Sequence, residues 1–268
     1  MDNNVFMAEL VNLMRRVDRV LTNSKVEYFA AYGTCLGAVR HHGMIPWDGD
    51  VDIAIRRQNV IGAVMALNDS NEQLYVEGGD VALRGKAVKL RIFNRVDEMS
   101  SLEFCRAYVD LYIIDSAESN KLLFAIRQVL ASGLFSASER RRKSGIKIKK
   151  TAFHIFLDVV FSPFRILPAA TVRNIAFWVY SSTRRSRMVK IAGSFRDRYS
   201  ASFFSSQIRV AFHDLMIPVP IDYEGYLTTR YGNWREPPPV DQRVNNTFGG
   251  EAREWNVKVP ENDERKKI

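Results

Sequence analysis

The N-terminal stretch has the hydrophobic period of an α-helix. Between residues 5 and 21, apolar side chains recur mostly at three- or four-residue intervals, which places them on one helical face. These positions are Val5, Leu10, Leu13, Met14, Val17, Val20 and Leu21. The pattern predicts an amphipathic helix that ends where Asn23 is followed by Ser24.

Downstream, short strand-like stretches alternate with helical ones. Gly33 and Thr34 would provide a turn and an N-cap for one of these helices. The predicted elements are a strand over 26–31, a helix over 35–41, a strand over 50–55, a helix over 60–67, and strands over 87–93 and 107–114. This order predicts an α+β fold, with a mixed β-sheet flanked by helices.

The basic residues are concentrated in one part of the chain. Residues 121–200 hold 17 Lys and Arg against 3 Asp and Glu, whereas the other 188 residues hold 22 against 27. We therefore predict a catalytic core over 1–118, a basic and mainly helical insertion over 119–200, and a C-terminal part over 201–268 that packs back on the core. The insertion would rest on an anionic membrane surface; the alternative is a solvated insertion that only packs on the catalytic domain.

Several features bear on the cellular compartment. The first 21 residues carry Asp2, Glu9 and Asp18 and lack a cleavage-site pattern, so no secretory signal is expected. No apolar run is long enough to predict a membrane span. Cys35 and Cys105 are expected to be reduced thiols, and structural zinc is not expected. We expect a cytoplasmic protein, peripheral on the inner face of the cytoplasmic membrane.

Acidic residues in the predicted strands carry the candidate chemistry. Asp50 and Asp52 are two residues apart, so strand alternation places both on one face. Such a carboxylate pair suits Mg²⁺, which prefers oxygen ligands and leaves positions for substrate phosphates. Asp48 has the same parity and could support the pair. Asp110, flanked by Val109 and Leu111, would be costly to bury without a cation or partner.

A potential phosphate site precedes these acids. Gly33 and Thr34 lie where a strand passes into a helix, and backbone N–H groups at a helix N-terminus bind phosphate oxygens. Arg40 follows on the same predicted helix. A phosphate-binding turn combined with strand acids predicts phosphoryl transfer, in which catalysis consists of positioning and charge neutralisation.

Three sequence blocks resemble the LicD family, which includes the fukutin-type proteins. The blocks are YGTCLGAVRHHGMIPWDGDVDIAI at 32–55, YVDLY at 108–112 and IPVPIDYEGYLTTRYGNW at 217–234. Asp50 and Asp52 match the metal-binding pair of the family, and Asp110 matches its third acidic ligand. Two departures are Gly49, where many members have another acid, and Asn245-Asn246, where histidines often follow.

The resemblance implies a nucleotidyltransferase-like fold and a metal-dependent phosphotransferase that uses Mg²⁺ or Mn²⁺. The donor would be a CDP-activated phospho-alcohol carrying phosphocholine, ribitol phosphate or glycerol phosphate. The acceptor would be a sugar hydroxyl of a lipid-linked cell-surface glycan of the lipopolysaccharide, teichoic acid or capsule type. Asp50, Asp52 and Asp110 would be the catalytic and metal-binding residues, with Asp110 as either ligand or base.

Gly33, Thr34, Arg40 and Trp47 are the candidate substrate contacts. The alternatives are a surface position for Arg40 and loop packing for Trp47. His41 and His42 are expected to be turn residues. Three tyrosines of the C-terminal block could form core or enclose a quaternary ammonium group. They are Tyr223, Tyr226 and Tyr231.

Two other functions stay open. A nucleotidyltransferase that deposits a nucleoside monophosphate would use the same acids. A non-enzymatic RNA-binding module is suggested by the sequence pI of about 9.6. Against the RNA-binding module, the basic segment lacks a recognisable RNA-binding signature, and the strand acids would repel phosphate without a cation. No nucleic-acid partner is therefore expected.

Overall fold

The computed structural model describes residues 3–83, 87–95, 107–139, 152–181, 186–191, 197–239 and 243. Within these residues the helices are α1 (Asn3–Asn23), α2 (Tyr32–His41), α3 (Val60–Asp69), α4 (Gly79–Leu83), α5 (Lys121–Glu139), α6 (Ala152–Val160), α7 (Ala169–Tyr180) and α8 (Tyr223–Tyr231). The strands are β1 (Phe29–Ala30), β2 (Val51–Arg56), β3 (Leu74–Glu77), β4 (Lys89–Asn94), β5 (Tyr108–Ala117), β6 (Met188–Ile191), β7 (Arg198–Ser200), β8 (Gln207–Phe212) and β9 (Leu215–Pro220).

Most of the predicted apolar face of α1 belongs to the main hydrophobic core. Leu10, Met14 and Leu21 are almost fully buried there, which is what a stripe repeating every three or four residues produces on a helix. Val5 was predicted on this face but is 49% exposed. It lies in the first turn of α1, where its neighbour Phe6 is the residue buried in the main core.

A mixed sheet supports the acidic residues, which confirms the predicted α+β class. Its strand order is β1-β2-β5-β4-β3, and β6 pairs with the other end of β5 and with β7. β2 and β5 are parallel, whereas the other pairs are antiparallel. β2 is buried over five consecutive residues because it lies in the middle of the sheet.

The start of α2 differs from the prediction. The helix begins at Tyr32, with Ala31 at the N-cap position and no side-chain cap. Gly33 and Thr34 therefore lie within the first turn and are not its cap. Tyr32 has a φ of 44°, a left-handed conformation that is costly for a bulky residue. Its backbone N–H donates to Tyr226 Oη at 2.9 Å, so α8 holds this conformation.

The basic segment contains both helices and strands. Helices α5, α6 and α7 pack around a small core of their own, separate from the main core. This core comprises Leu134, Ala137, Leu157, Phe161, Val172 and Ala176. The chain then returns to the sheet through β6 and β7, which the sequence did not predict. In the part of the chain that the structure describes, no helix is long and apolar enough to cross a membrane.

The described C-terminal residues pack against β1 and α2. β8 and β9 form a separate two-stranded sheet whose Val219 and Ile217 join the main core. His213, in the turn between these strands, accepts a hydrogen bond from the Met44 backbone N–H at 2.9 Å. The hairpin therefore fixes the loop that connects α2 to β2.

Candidate active site

A cleft of about 670 Å³ opens between α2, the loop before β2, the sheet and α8, a size typical of small-molecule sites. Charged and aromatic side chains line it. They include Tyr32, Arg40, Trp47, Asp48, Asp50, Asp52, Tyr112, Asp197, Arg230, Tyr231 and Trp234. The predicted residues Gly33, Arg40, Trp47, Asp50 and Asp52 thus meet in one place. Five of the wall residues, Tyr112, Asp197, Arg230, Tyr231 and Trp234, come from distant parts of the sequence.

Asp52 lies at the buried end of this cleft. It is the register partner of Asp110 across the parallel strands β2 and β5. Asp52 is only 7% exposed. The Asp52 backbone N–H donates to Thr34 Oγ1 at 2.8 Å. Its side-chain atom Oδ1 is buried without a hydrogen-bond partner. A buried carboxylate oxygen without a partner is unusual and suits a ligand that supplies positive charge.

Asp48 and Asp50 form a second acidic element beside Asp52. Their carboxyl groups hydrogen-bond one another, and burial with repulsion from Asp50 raises the pKa of Asp48 to about 7. Burial also raises the pKa of Asp50. The pKa of Asp52 is raised well above its usual value by burial and then by repulsion from the neighbouring carboxylates. The cluster therefore binds protons readily when no cation is present.

Asp110 lies beside Asp52 in the sheet, but its carboxylate is paired with basic side chains. Its carboxylate pairs with Lys89 Nζ at 2.5 Å and Arg91 Nε at 3.3 Å. Among the residues that the structure describes, no three His, Cys, Asp or Glu side chains form a ready-made metal site. Asp48, Asp50 and Asp52 line the cleft itself. The metal-binding role of Asp50 and Asp52 and the metal-binding or basic role of Asp110 stay predictions.

Two arginines give the cleft a cationic wall. Arg40 Nη1 donates to the Trp234 carbonyl at 2.7 Å, which fixes the guanidinium at the cleft. Arg230, from α8, lies 5.0 Å over the Tyr32 ring and 3.3 Å from Asp197. Its Nε is buried without a hydrogen-bond partner. The sequence patterns did not predict Arg230 as a cleft residue, although Arg230 lies within the block at 217–234 that resembles the LicD family.

Of the remaining predicted substrate contacts, Gly33 and Trp47 line the cleft, whereas Thr34 does not. A Cβ on Gly33 would approach Asp48 Oδ2 to 2.0 Å, so any larger residue at this position would displace that carboxylate. Thr34 is buried and lies behind Asp52 rather than at the cleft surface. Trp47 packs edge-on against His41 and under the Arg243 guanidinium. Trp47 therefore both packs its loop and faces the cleft.

The C-terminal tyrosines differ in position. Tyr226 is fully buried and forms part of the main core, and Tyr223 packs against that core from its edge. Tyr231 lines the cleft, as does Tyr112 of β5. Asn245 and Asn246 lie outside the described residues, as does Cys105, while Cys35 is a buried free thiol.

Residues 25–128 match the family model described as LicD/FKTN/FKRP, nucleotidyltransferase domain. The match covers 104 of the 268 residues, and this stretch is similar to a LicD-type nucleotidyltransferase domain. It contains β1–β5, α2–α4 and the acids Asp48, Asp50, Asp52 and Asp110, so the matched stretch carries the acidic part of the cleft. The helix α8, outside the matched residues, supplies Arg230 and Tyr231.

Curated relatives extend the comparison. Uncharacterized proteins of Rickettsia prowazekii and Rickettsia typhi are each 44% identical over 52 residues, 19% of this chain. The match spans only 20% and 17% of those relatives. The lipopolysaccharide cholinephosphotransferase LicD of Haemophilus influenzae is 20% identical over 250 residues, covering 87% of this chain and 91% of that protein. The similarity to the Haemophilus influenzae protein thus extends well beyond residues 25–128.

Proposed function

We propose that this protein is a phosphotransferase of lipopolysaccharide or related glycan biosynthesis. It transfers phosphocholine, or a phosphopolyol such as ribitol or glycerol phosphate, from a CDP-activated donor to a sugar hydroxyl. The observation that carries the proposal is the Asp50–Asp52 pair in a LicD-type domain, with Asp52 Oδ1 buried and unpartnered. The name of the Haemophilus influenzae relative favours phosphocholine among these groups.

The residues of the cleft fit a hard divalent cation. Carboxylate oxygens are the ligands that Mg²⁺ and Mn²⁺ prefer, and Mg²⁺ is usually held by one or two carboxylates together with substrate phosphates and water. Asp50 and Asp52 would hold the ion, and Asp52 Oδ1 is an oxygen still lacking a partner. When bound, the cation neutralises charge on the donor diphosphate and on the departing CMP.

The two arginines of the cleft would position the diphosphate. Arg40 and Arg230 both line the cleft, and arginine forks bind phosphate oxygens in a fixed orientation. Aromatic rings complete the enclosure at Tyr112, Tyr231 and Trp234. Such rings attract a quaternary ammonium group through their π faces, which suits the choline end of the favoured donor.

The reaction is a substitution at the β-phosphorus of the donor. The acceptor hydroxyl oxygen forms a bond to that phosphorus, the bond to the bridging oxygen breaks, and CMP leaves with the bonding electron pair. The hydroxyl proton passes to a base, and Asp110 is the candidate through its position beside Asp52. Asp110 is ion-paired with Lys89, so it would act as a base only after that pair opens.

The test is CMP release from CDP-choline, CDP-ribitol and CDP-glycerol, each with Mg²⁺ and with a glycan extract as acceptor. We expect release from one donor in preference to the others and none from Asp50→Asn. A rate for Asp50→Asn above about a tenth of wild type, equivalent to about 1.4 kcal/mol of barrier, would remove its proposed role. Release by wild type from none of the donors would overturn the proposed donor class.

A further inference from the structure

The α5–α7 bundle leaves an unusual amount of apolar surface in water. The described residues from 121 to 180 are about a quarter of all those described, yet they contain 12 of the 19 exposed large hydrophobic side chains. These are Leu122, Leu123, Ile126, Leu130, Ile155, Phe156, Val159, Val160, Phe164, Ile166, Leu167 and Trp178. Soluble domains seldom leave contiguous apolar surface of this kind uncovered unless it binds something.

The exposed residues follow helical stripes. On α5, Leu122, Ile126 and Leu130 are four residues apart and 70%, 47% and 40% exposed, while Phe124 and Gln128 of the same helix face inward. On α6 the pairs 155–156 and 159–160 are exposed, again one helical turn apart. Each helix thus has two apolar faces, one in the bundle core and one in solvent.

Charge indicates which partner covers this surface. Residues 121–180 contain eleven Lys and Arg, seven of them between 140 and 150, but Glu139 and Asp158 are their only acids. A second copy of the same basic segment would be repelled, whereas an anionic bilayer offers negative headgroups around an apolar interior. Trp178 is 75% exposed, and tryptophan favours the boundary between headgroups and acyl chains.

We propose that the α5–α7 bundle is a membrane-docking surface that inserts these apolar side chains into an anionic lipid leaflet. Basic residues attract the bundle to the headgroups, and the leucine, isoleucine, phenylalanine and tryptophan side chains bury in the interfacial region. Attachment by charge alone would be lost as salt screens it. Attachment by inserted side chains persists, so part of the binding resists salt.

The proposal specifies the membrane contact of the proposed glycan-modifying enzyme, but its test contains no donor and no acceptor. Full-length protein is floated with vesicles of phosphatidylcholine alone or with about 30% phosphatidylglycerol, at low salt and at about 1 M salt. The expected result is binding to the anionic vesicles, with a fraction that remains at high salt. Anionic vesicles should also blue-shift the tryptophan emission of wild type but not of Trp178→Phe.

A double variant and a matched control isolate the insertion step. Leu122→Ser with Ile126→Ser removes two exposed side chains of α5 and should lower partitioning at least about tenfold, or ~1.4 kcal/mol. Ile61→Ser with Met65→Ser removes two similarly exposed, similarly spaced side chains of α3 and should change partitioning less than about twofold. Both double variants should unfold at the temperature of wild type.

Three results would overturn the proposal. The first is equal partitioning of the α5 double variant and wild type. The second is complete release of wild type at high salt, which would mean attraction by charge alone. The third is a wild-type dimer in solution that the α5 substitutions dissociate, which would assign the surface to a second copy of the chain. A failure of donor turnover would leave each of these results interpretable.

Discussion

Replacing Asp52 by asparagine should stabilise the metal-free protein while it abolishes transfer. Asp52 is buried, its Oδ1 has no partner, and burial raises its pKa. Residues two apart on a strand are about 7 Å apart, and two unit charges at that distance repel by roughly 2 kcal/mol at an effective dielectric constant near 20. Because Asp50 is only partly buried, solvent screening reduces the expected gain to about 1–2 kcal/mol.

The assay is thermal unfolding in EDTA across a pH series. For a chain of this size, the gain corresponds to a Tm increase of about 2–8 °C for Asp52→Asn. A carboxyl whose pKa is raised in the native state makes the wild type lose stability as the pH rises above the pKa that the same carboxyl has in the unfolded state. The advantage of the variant should therefore be largest near pH 8 and vanish below about pH 3, where the carboxyl is protonated in both the folded and the unfolded state.

Asp115 provides a matched control on the neighbouring strand. It is as buried as Asp52, but its carboxylate accepts hydrogen bonds from Nε and Nη2 of the Arg57 guanidinium. Asp115→Asn should thus destabilise the protein by about 3 kcal/mol, because a buried ion pair loses one partner. If Asp52→Asn also lowers the Tm in EDTA, or if it still gains stability from Mg²⁺ as wild type should, Asp52 is a structural acid and the proposed metal role is wrong.

Three further predictions address the other residues of the cleft. Asp110→Asn should bind the CDP donor within about tenfold of wild type by calorimetry yet lose at least about a hundredfold in kcat; normal turnover would make Asp110 structural. Arg230→Ala should weaken donor binding by about tenfold or more, whereas an unchanged Kd would place the diphosphate elsewhere. Mg²⁺ binding should release protons, because Asp48 has a pKa of about 7 without the ion and the pKa values of Asp50 and Asp52 are also raised. The Mg²⁺ affinity should therefore fall below pH 7. Calorimetry in buffers of different ionisation enthalpy measures the proton release, and its absence would contradict this prediction.

Local sequence patterns predicted the central part of the fold. The alternation over 50–55 corresponds to β2, and the helical period near the N-terminus corresponds to α1. These segments carry strong periodic signals and contribute directly to the core. β6 and β7 were not predicted because they are three or four residues long, too short for alternation to stand out among basic residues.

Sequence spacing could place Asp50 and Asp52 together but could not supply their surroundings. The register of Asp52 with Asp110, the Lys89 ion pair and the position of Arg230 depend on contacts between distant segments. Thr34 was selected as a phosphate contact from its neighbours, whereas its hydroxyl accepts the Asp52 backbone N–H. That hydrogen bond follows from how α2 packs on β2, which no local pattern encodes.

The central claim is that the alcohol phosphate, not the nucleotide, moves to the acceptor. It is tested most directly with CDP-choline labelled differently in the cytidine and choline parts, incubated with Mg²⁺ and a glycan acceptor. We predict that choline label enters the glycan at the rate at which cytidine label appears as CMP, and that Asp50→Asn shows neither. Cytidine label in the glycan would contradict the account and identify the protein as a nucleotidyltransferase.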